Sequence, residues 1–333
     1  MKTTITMVCA AALFLACPAT AAPTMKVIGD IKIGGTGGWD YASFDPATRR
    51  VLLSHNATIA AVNVDTQAVT PHFADANGSH IALPLAGGTS ILVTNGKADN
   101  VTLLNGSTGA LEGTIATDGG PDGAVIDPAT GHAFVMANHG GMVDVIDTAA
   151  QTVLAHIPAG GAPEGAASDS AGHVFTHLED KNALVVIDAK TMAATATYAM
   201  DDCDEPSGLA YVPGANDLLS ACHNGIARLT DATTGKEVAT FAIGQKPDFA
   251  LYDADRKLGY IPCGDGTLTV IDFTGATPVL AGVVPTKPGA RTATLDPATG
   301  QLYLPTADFG APAKAGDRPP VIDGTFELLI VGS

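Results

Sequence analysis

Aromatic side chains are scarce in this chain of 333 residues: Phe, Trp and Tyr make up 5%, with one tryptophan, Trp39. Charge is scarce as well, at 15% of residues, and it leans acidic, with 34 carboxylates against 17 basic side chains. So few basic groups exclude a nucleic-acid surface, which must neutralise phosphates. Heptads are missing, which excludes a coiled coil, and no late apolar run is long enough for a membrane-spanning helix. What is plentiful is apolar residues (46%) and glycine (38). The apolar fraction excludes disorder, and the length allows a sizeable core. Much glycine with little charge points to tight turns between short strands.

The first segment reads as an address. Met1–Ala21 carries a basic Lys2, the apolar run Ile5–Ala16 and the small residues Ala19-Thr20-Ala21, the pattern of a secretory signal cut near Ala21 or Ala22. An acylated Cys17 is the alternative. Residues 22–333 are expected to form one exported, periplasmic domain with 34 acidic and 16 basic side chains, a formal charge of −18. Cys9 and Cys17 leave with the signal. Cys203, Cys222 and Cys263 remain, and an odd count in an oxidising compartment allows at most one internal disulfide.

One phrase recurs along the chain: a turn, an apolar stretch, then Asp-Pro-Ala-Thr. It appears at Asp45–Thr48, Asp127–Thr130 and Asp296–Thr299, with degenerate copies starting near His80, Glu164, Ser207 and Asp248. Equivalent positions are Asp40, His80, Asp122, Glu164, Ser207, Asp248 and Arg291, spaced by 40, 42, 42, 43, 41 and 43 residues. Each unit parses as a short strand, an Asp-Pro-x-x-Gly turn, a second strand such as Ala133-Phe134-Val135, a third ending in Asp such as Val143–Asp147, and a fourth such as Val153–Ile157. Four short antiparallel strands at this period predict an all-β, seven-bladed β-propeller. The seventh unit lacks a fourth strand, and Lys26–Ile33 is expected to supply it and close the ring.

The repeat resembles the YVTN-repeat, YncE-like family of seven-bladed propellers, best at Ile91-Leu92-Val93-Thr94-Asn95-Gly96. The resemblance covers all of the chain after the signal. It implies an exported protein with a binding role, and similar propellers carry lactonase and lyase chemistry. Fold alone does not choose among these.

The strand directions place candidate chemistry on one face, called the top, opposite the Asp-Pro turns. The mouth of the central channel is expected to be ringed by Asp40, His80, Asp122, Glu164, Ser207, Asp248 and Arg291. Four carboxylates there repel unless a cation, a proton or an arginine offsets them. His55, His139, His177 and His223 each follow a second strand on the same face, as do Cys222 and Cys263. Imidazole, thiolate and carboxylate are the donors of zinc, copper or iron sites, so His139, Glu164, His177, Cys222, His223 and Cys263 form the expected metal set. A Cys203–Cys222 disulfide is the competing role for Cys222. Trp39, Asp40, His80, Asp122, Asp248 and Arg291 are the expected contacts to a small ligand, metal ion or metal-containing. Arg291 with Lys314 or Arg318 suits an anionic group, and the insert Asp308–Gly324 suits a lid. The alternatives are a metal-dependent lyase or lactonase-type hydrolase with His177, His223 or Glu164 as catalytic groups, and a docking scaffold for an envelope protein. His132 and His173 on the opposite face, and His72 and His156 in outer strands, read as structural.

Overall fold

The computed structural model describes residues 25–314 and 318–333. The expected signal segment, Met1–Ala21, lies outside the described residues. Seven four-stranded antiparallel sheets follow one another around an axis. The first blade runs outward through Trp39–Asp45, Arg50–His55, Thr58–Asn63 and Val69–Asp75. Each innermost strand touches that of the next blade, and the seventh (Thr294–Asp296) touches the first. The seventh sheet takes its outermost strand from the N-terminal side, Lys26–Lys32, paired antiparallel with Glu327–Gly332 from Lys26↔Gly332 to Lys32↔Glu327. No described helix is long and apolar enough to cross a membrane.

The composition of each strand follows from its radius. Second and third strands are sandwiched between neighbouring blades, so both faces are buried and the sequence runs apolar without alternation, as in Val51-Leu52-Leu53 and Ala133–Ala137. Outermost strands show one face to water and alternate, as in Ala193–Ala199. At the axis space is short. A Cβ on Gly165 would lie 1.8 Å from Ser207 O, and one on Gly208 would lie 2.3 Å from Phe249 C. Only glycine permits such an approach of adjacent backbones.

The repeated turn aspartates are buried and hold their own loops. Asp127 Oδ2 accepts from Thr130 N (2.9 Å) and Thr130 Oγ1 (2.8 Å), and Asp296 repeats the pattern with Ala298 and Thr299. They also bolt blades together: Ser168 Oγ donates to Asp127 Oδ1 at 2.8 Å, and Arg49 lies 2.9 Å from Asp296. Cys203, in the loop entering the fifth blade, is bonded to Cys222 at the end of that blade's second strand, with Cα atoms 5.1 Å apart.

Candidate functional site: the channel mouth

The mouth residues reach the channel because the innermost strands bulge there. In the first blade Trp39 pairs with His55 and Ala42 with Leu53, so three steps on one strand match two on the other. The same slip occurs between Ser79 and Ala82, Pro121 and Ala124, Pro163 and Ala166, and Pro206 and Leu209. Asp40, His80, Asp122, Glu164 and Ser207 all lie in these bulges, which release them from the ladder and re-aim them. In the sixth and seventh blades the innermost strand shrinks to Leu251–Asp253 and Thr294–Asp296, which leaves Asp248 and Arg291 in the irregular approach.

The ring divides into pairs. Arg291 Nε lies 2.5 Å from Asp248 Oδ2, so the arginine is committed to a carboxylate of its own site. Ser207 Oγ donates to Pro247 O at 3.1 Å. Glu164 accepts from Asn138 Nδ2 at 3.0 Å and, across the channel, from the Tyr41 hydroxyl at 3.2 Å. His80 Nδ1 lies 2.7 Å from Asp40 Oδ2 and 3.4 Å from Asp122 Oδ1. Asp122 Oδ1 is buried and has no hydrogen-bond partner. One donor atom each from Asp40, His80 and Asp122 come within 4.8 Å of one another.

The electrostatics follow from packing acids together out of water. Burial, then the neighbouring carboxylates Asp40 and Asp248, push Asp122 well above the usual carboxylate range. Glu164 is pushed the same way, by burial and then by Asp122 and Asp248. Asp248 is raised by burial although Arg291 offsets it. Glu179, just after the second strand of the fourth blade, adds a further raised carboxylate that acts on both Asp122 and Glu164. On His80 burial works downward, but the Asp40 hydrogen bond and the surrounding acids outweigh it, and the imidazole is raised.

The expected metal set is not brought together. Cys222 is spent in the disulfide, so it offers no thiolate. Cys263 is buried, its Sγ directed at Ile261 O, and burial pushes its thiol up to about 12. His177 is wholly buried between the fourth and fifth blades, with Nε2 2.9 Å from Ser220 Oγ. His223 Nδ1 pairs with Glu205 Oε2 at 2.9 Å, and the exposed His139 packs on Gly120. Each imidazole has a partner of its own: His177 meets the next blade, His223 and His139 meet the loop that enters their own blade, and His55 stacks on Phe326 beside the seventh blade at 4.2 Å. Of the catalytic candidates, Glu164 belongs to the mouth, His223 stands near enough to act on Glu179 and Asp248, and His177 is shut between blades.

Trp39 is also displaced from its expected role. It is 9% exposed, stacked on Phe326 (5.3 Å between ring centres) and flanked by Phe309 of the insert (6.0 Å), so it has no free face for a ligand. The described parts of the insert are tied by Gly310 N to Pro320 O (2.8 Å) and by Lys287 to Asp308 (2.7 Å). Tyr41, Asn138 and Glu179 are mouth residues that sequence reasoning missed. Tyr41 adjoins Asp40, but only the bulge turns it inward. A second carboxylate–imidazole group lies outside the channel. His156 Nδ1 sits 2.7 Å from the buried Asp144 and 2.8 Å from Asp118, and Asp118 N also donates to Asp144. These groups satisfy each other, which accounts for an aspartate inside a sheet.

No family model matches the sequence, and no curated protein matches it. Among solved structures, hydrazine synthase of Kuenenia stuttgartiensis is similar over 86% of this chain and 96% of that one, at 17% identity and a TM-score of 0.71. A chain of the mitotic checkpoint complex is similar over 100% of this chain and 99% of that one, at 12% identity and a TM-score of 0.75. At such identities the likeness carries the architecture alone: the chain is a seven-bladed β-propeller of four antiparallel strands per blade.

Proposed function

We propose that this is an exported propeller of the YVTN-repeat kind that binds a divalent metal ion, alone or within a small ligand, at Asp40, His80 and Asp122 in the channel mouth. The observation that carries the reading is Asp122 Oδ1, a buried carboxylate oxygen beside His80 with no hydrogen-bond partner. Such an oxygen calls for a cation or a proton. The balance of charge supports the cation. Asp40, Asp122, Glu164, Asp248 and Glu179 converge, while Arg291 answers Asp248 and His80 answers Asp40, which leaves the acids in excess. With both cysteines excluded, the donors are nitrogen and oxygen, which suits zinc, iron(II) or manganese better than copper(I). The ion would relieve the repulsion that, after burial, raises Asp122, Glu164 and Asp248.

Calorimetric titration of chelator-stripped, untagged protein with zinc chloride is expected to give one ion per chain. His80→Ala and Asp122→Asn should each weaken binding by at least tenfold, whereas His156→Ala, which opens the outer Asp118–Asp144 group, should leave it unchanged. A flat titration, or wild-type affinity in both mouth variants, ends the proposal.

A further inference from the structure

Below the mouth the channel changes character. Tyr41 crosses it to reach Glu164, and its ring packs on Phe249 at 5.4 Å between centres. Together they roof a chamber of about 440 Å³ that reaches toward the Asp-Pro turns, where Pro46, Ala47 and Gly87 form its rim. All seven innermost strands contribute to the wall. Among its larger members Ile81 and Leu209 are buried, whereas Phe44, Leu83, Val125 and Leu251 are only half-buried in otherwise tightly packed sheets. No charge faces it uncommitted. Asp45 at the rim accepts from Ala47 N at 3.0 Å and from Thr48 Oγ1, with Arg50 4.0 Å away. Thr294 Oγ1 accepts from Phe44 N at 2.9 Å. Ser43 is the remaining hydroxyl in the wall.

We propose that this lower chamber is a second binding site, for a neutral and largely hydrocarbon small molecule bearing at most one hydrogen-bonding group. The volume lies within the roughly 300–1,000 Å³ of small-molecule pockets. At ~30 Å³ per water it would hold about fifteen waters, and apolar walls give those waters few partners, so an apolar occupant that displaces them gains affinity. A charged ligand would lose its hydration and meet no counter-charge. The acidic mouth and the apolar chamber are separated by the Tyr41–Phe249 roof, so the two sites take chemically opposite ligands.

The probe is N-phenyl-1-naphthylamine, a neutral apolar fluorophore, titrated into the secreted protein. One probe per chain is expected, with binding weakened at least tenfold in Ala124→Phe and Ala166→Phe, whose side chains grow into the chamber. Val283→Ser, on the exposed outer strand of the sixth blade, should bind as wild type. Unchanged binding in both filled variants, or its loss in Val283→Ser, overturns the proposal. Should the filled variants fail to fold, crystals of the wild-type protein under xenon decide: density between Leu83, Val125 and Leu251 supports the chamber, and a bare chamber refutes it.

Discussion

His177 illustrates how the environment of one side chain sets its chemistry. Burial lowers the imidazole to about 4, so it is neutral in the folded protein at neutral pH. An unfolded chain titrates near the ordinary value of about 6.5. As pH falls through that value the unfolded state takes up a proton that the folded state refuses, and stability drops until the folded value near 4 is reached. The full loss is about 3 kcal/mol at ~1.4 kcal/mol per unit. His177→Gln is therefore expected to lower the melting temperature at pH 7, through the lost Ser220 contact, and to flatten its decline between pH 6.5 and 4. An equally steep decline in the variant would refute the assignment. The histidines near the ends of second strands suggested shared ligation, but the register separates them: His55 closes its strand, His177 stands one residue before the end of its own, and His223 and His139 follow one and two residues after theirs, so each meets a different partner.

At the scale of elements, the fifth blade is stapled where its inner strand bulges. The Cys203–Cys222 bond closes a loop with a sequence separation of 19, right beside Pro206–Val212. Loops of this length stabilise by about 3 kcal/mol. Cys203→Ala with Cys222→Ala should lose roughly that much in urea unfolding, and reductant should cost the wild type the same amount while leaving the double variant unaffected. Elements were also where sequence and structure agreed best. The 42-residue period, the Asp-Pro turns and the apolar second strands depend on local chemistry, which a sequence displays directly. The bulges do not. Whether Asp40 or Tyr41 faces the axis depends on register against His55 and Leu53, a pairing that no residue type announces. That is why the ring of Asp40, His80, Asp122, Glu164, Asp248 and Arg291 was legible as a set, while Tyr41, Asn138 and the pairing of His80 with Asp40 were not.

Across the whole molecule two populations of carboxylates oppose each other. Asp169, Asp188 and Asp231 are lowered chiefly through turn hydrogen bonds, and Asp296 chiefly by Arg49 of the first blade and then by its own turn, in each case outweighing any burial, and they stabilise the fold above the unfolded carboxylate range. Their contribution is lost in acid. Asp122, Glu164, Asp248 and Glu179 are raised, chiefly by burial and then by neighbouring carboxylates, Asp40 and Glu205 among them. A raised acid binds its proton more tightly in the folded state, so its contribution falls as pH climbs from the unfolded value through the folded one. In metal-free protein the mouth should therefore erode stability on the neutral side, and Asp122→Asn should raise the melting temperature at pH 7 while having little effect near pH 4. Saturating zinc should reverse the order at pH 7, because the ion stabilises the folded wild type by mass action and binds the variant more weakly. Thermal melts of the two proteins at both pH values, with chelator and with zinc, measure this crossing. If Asp122→Asn is the less stable protein under all four conditions, the mouth is a self-satisfied network and not a cation site.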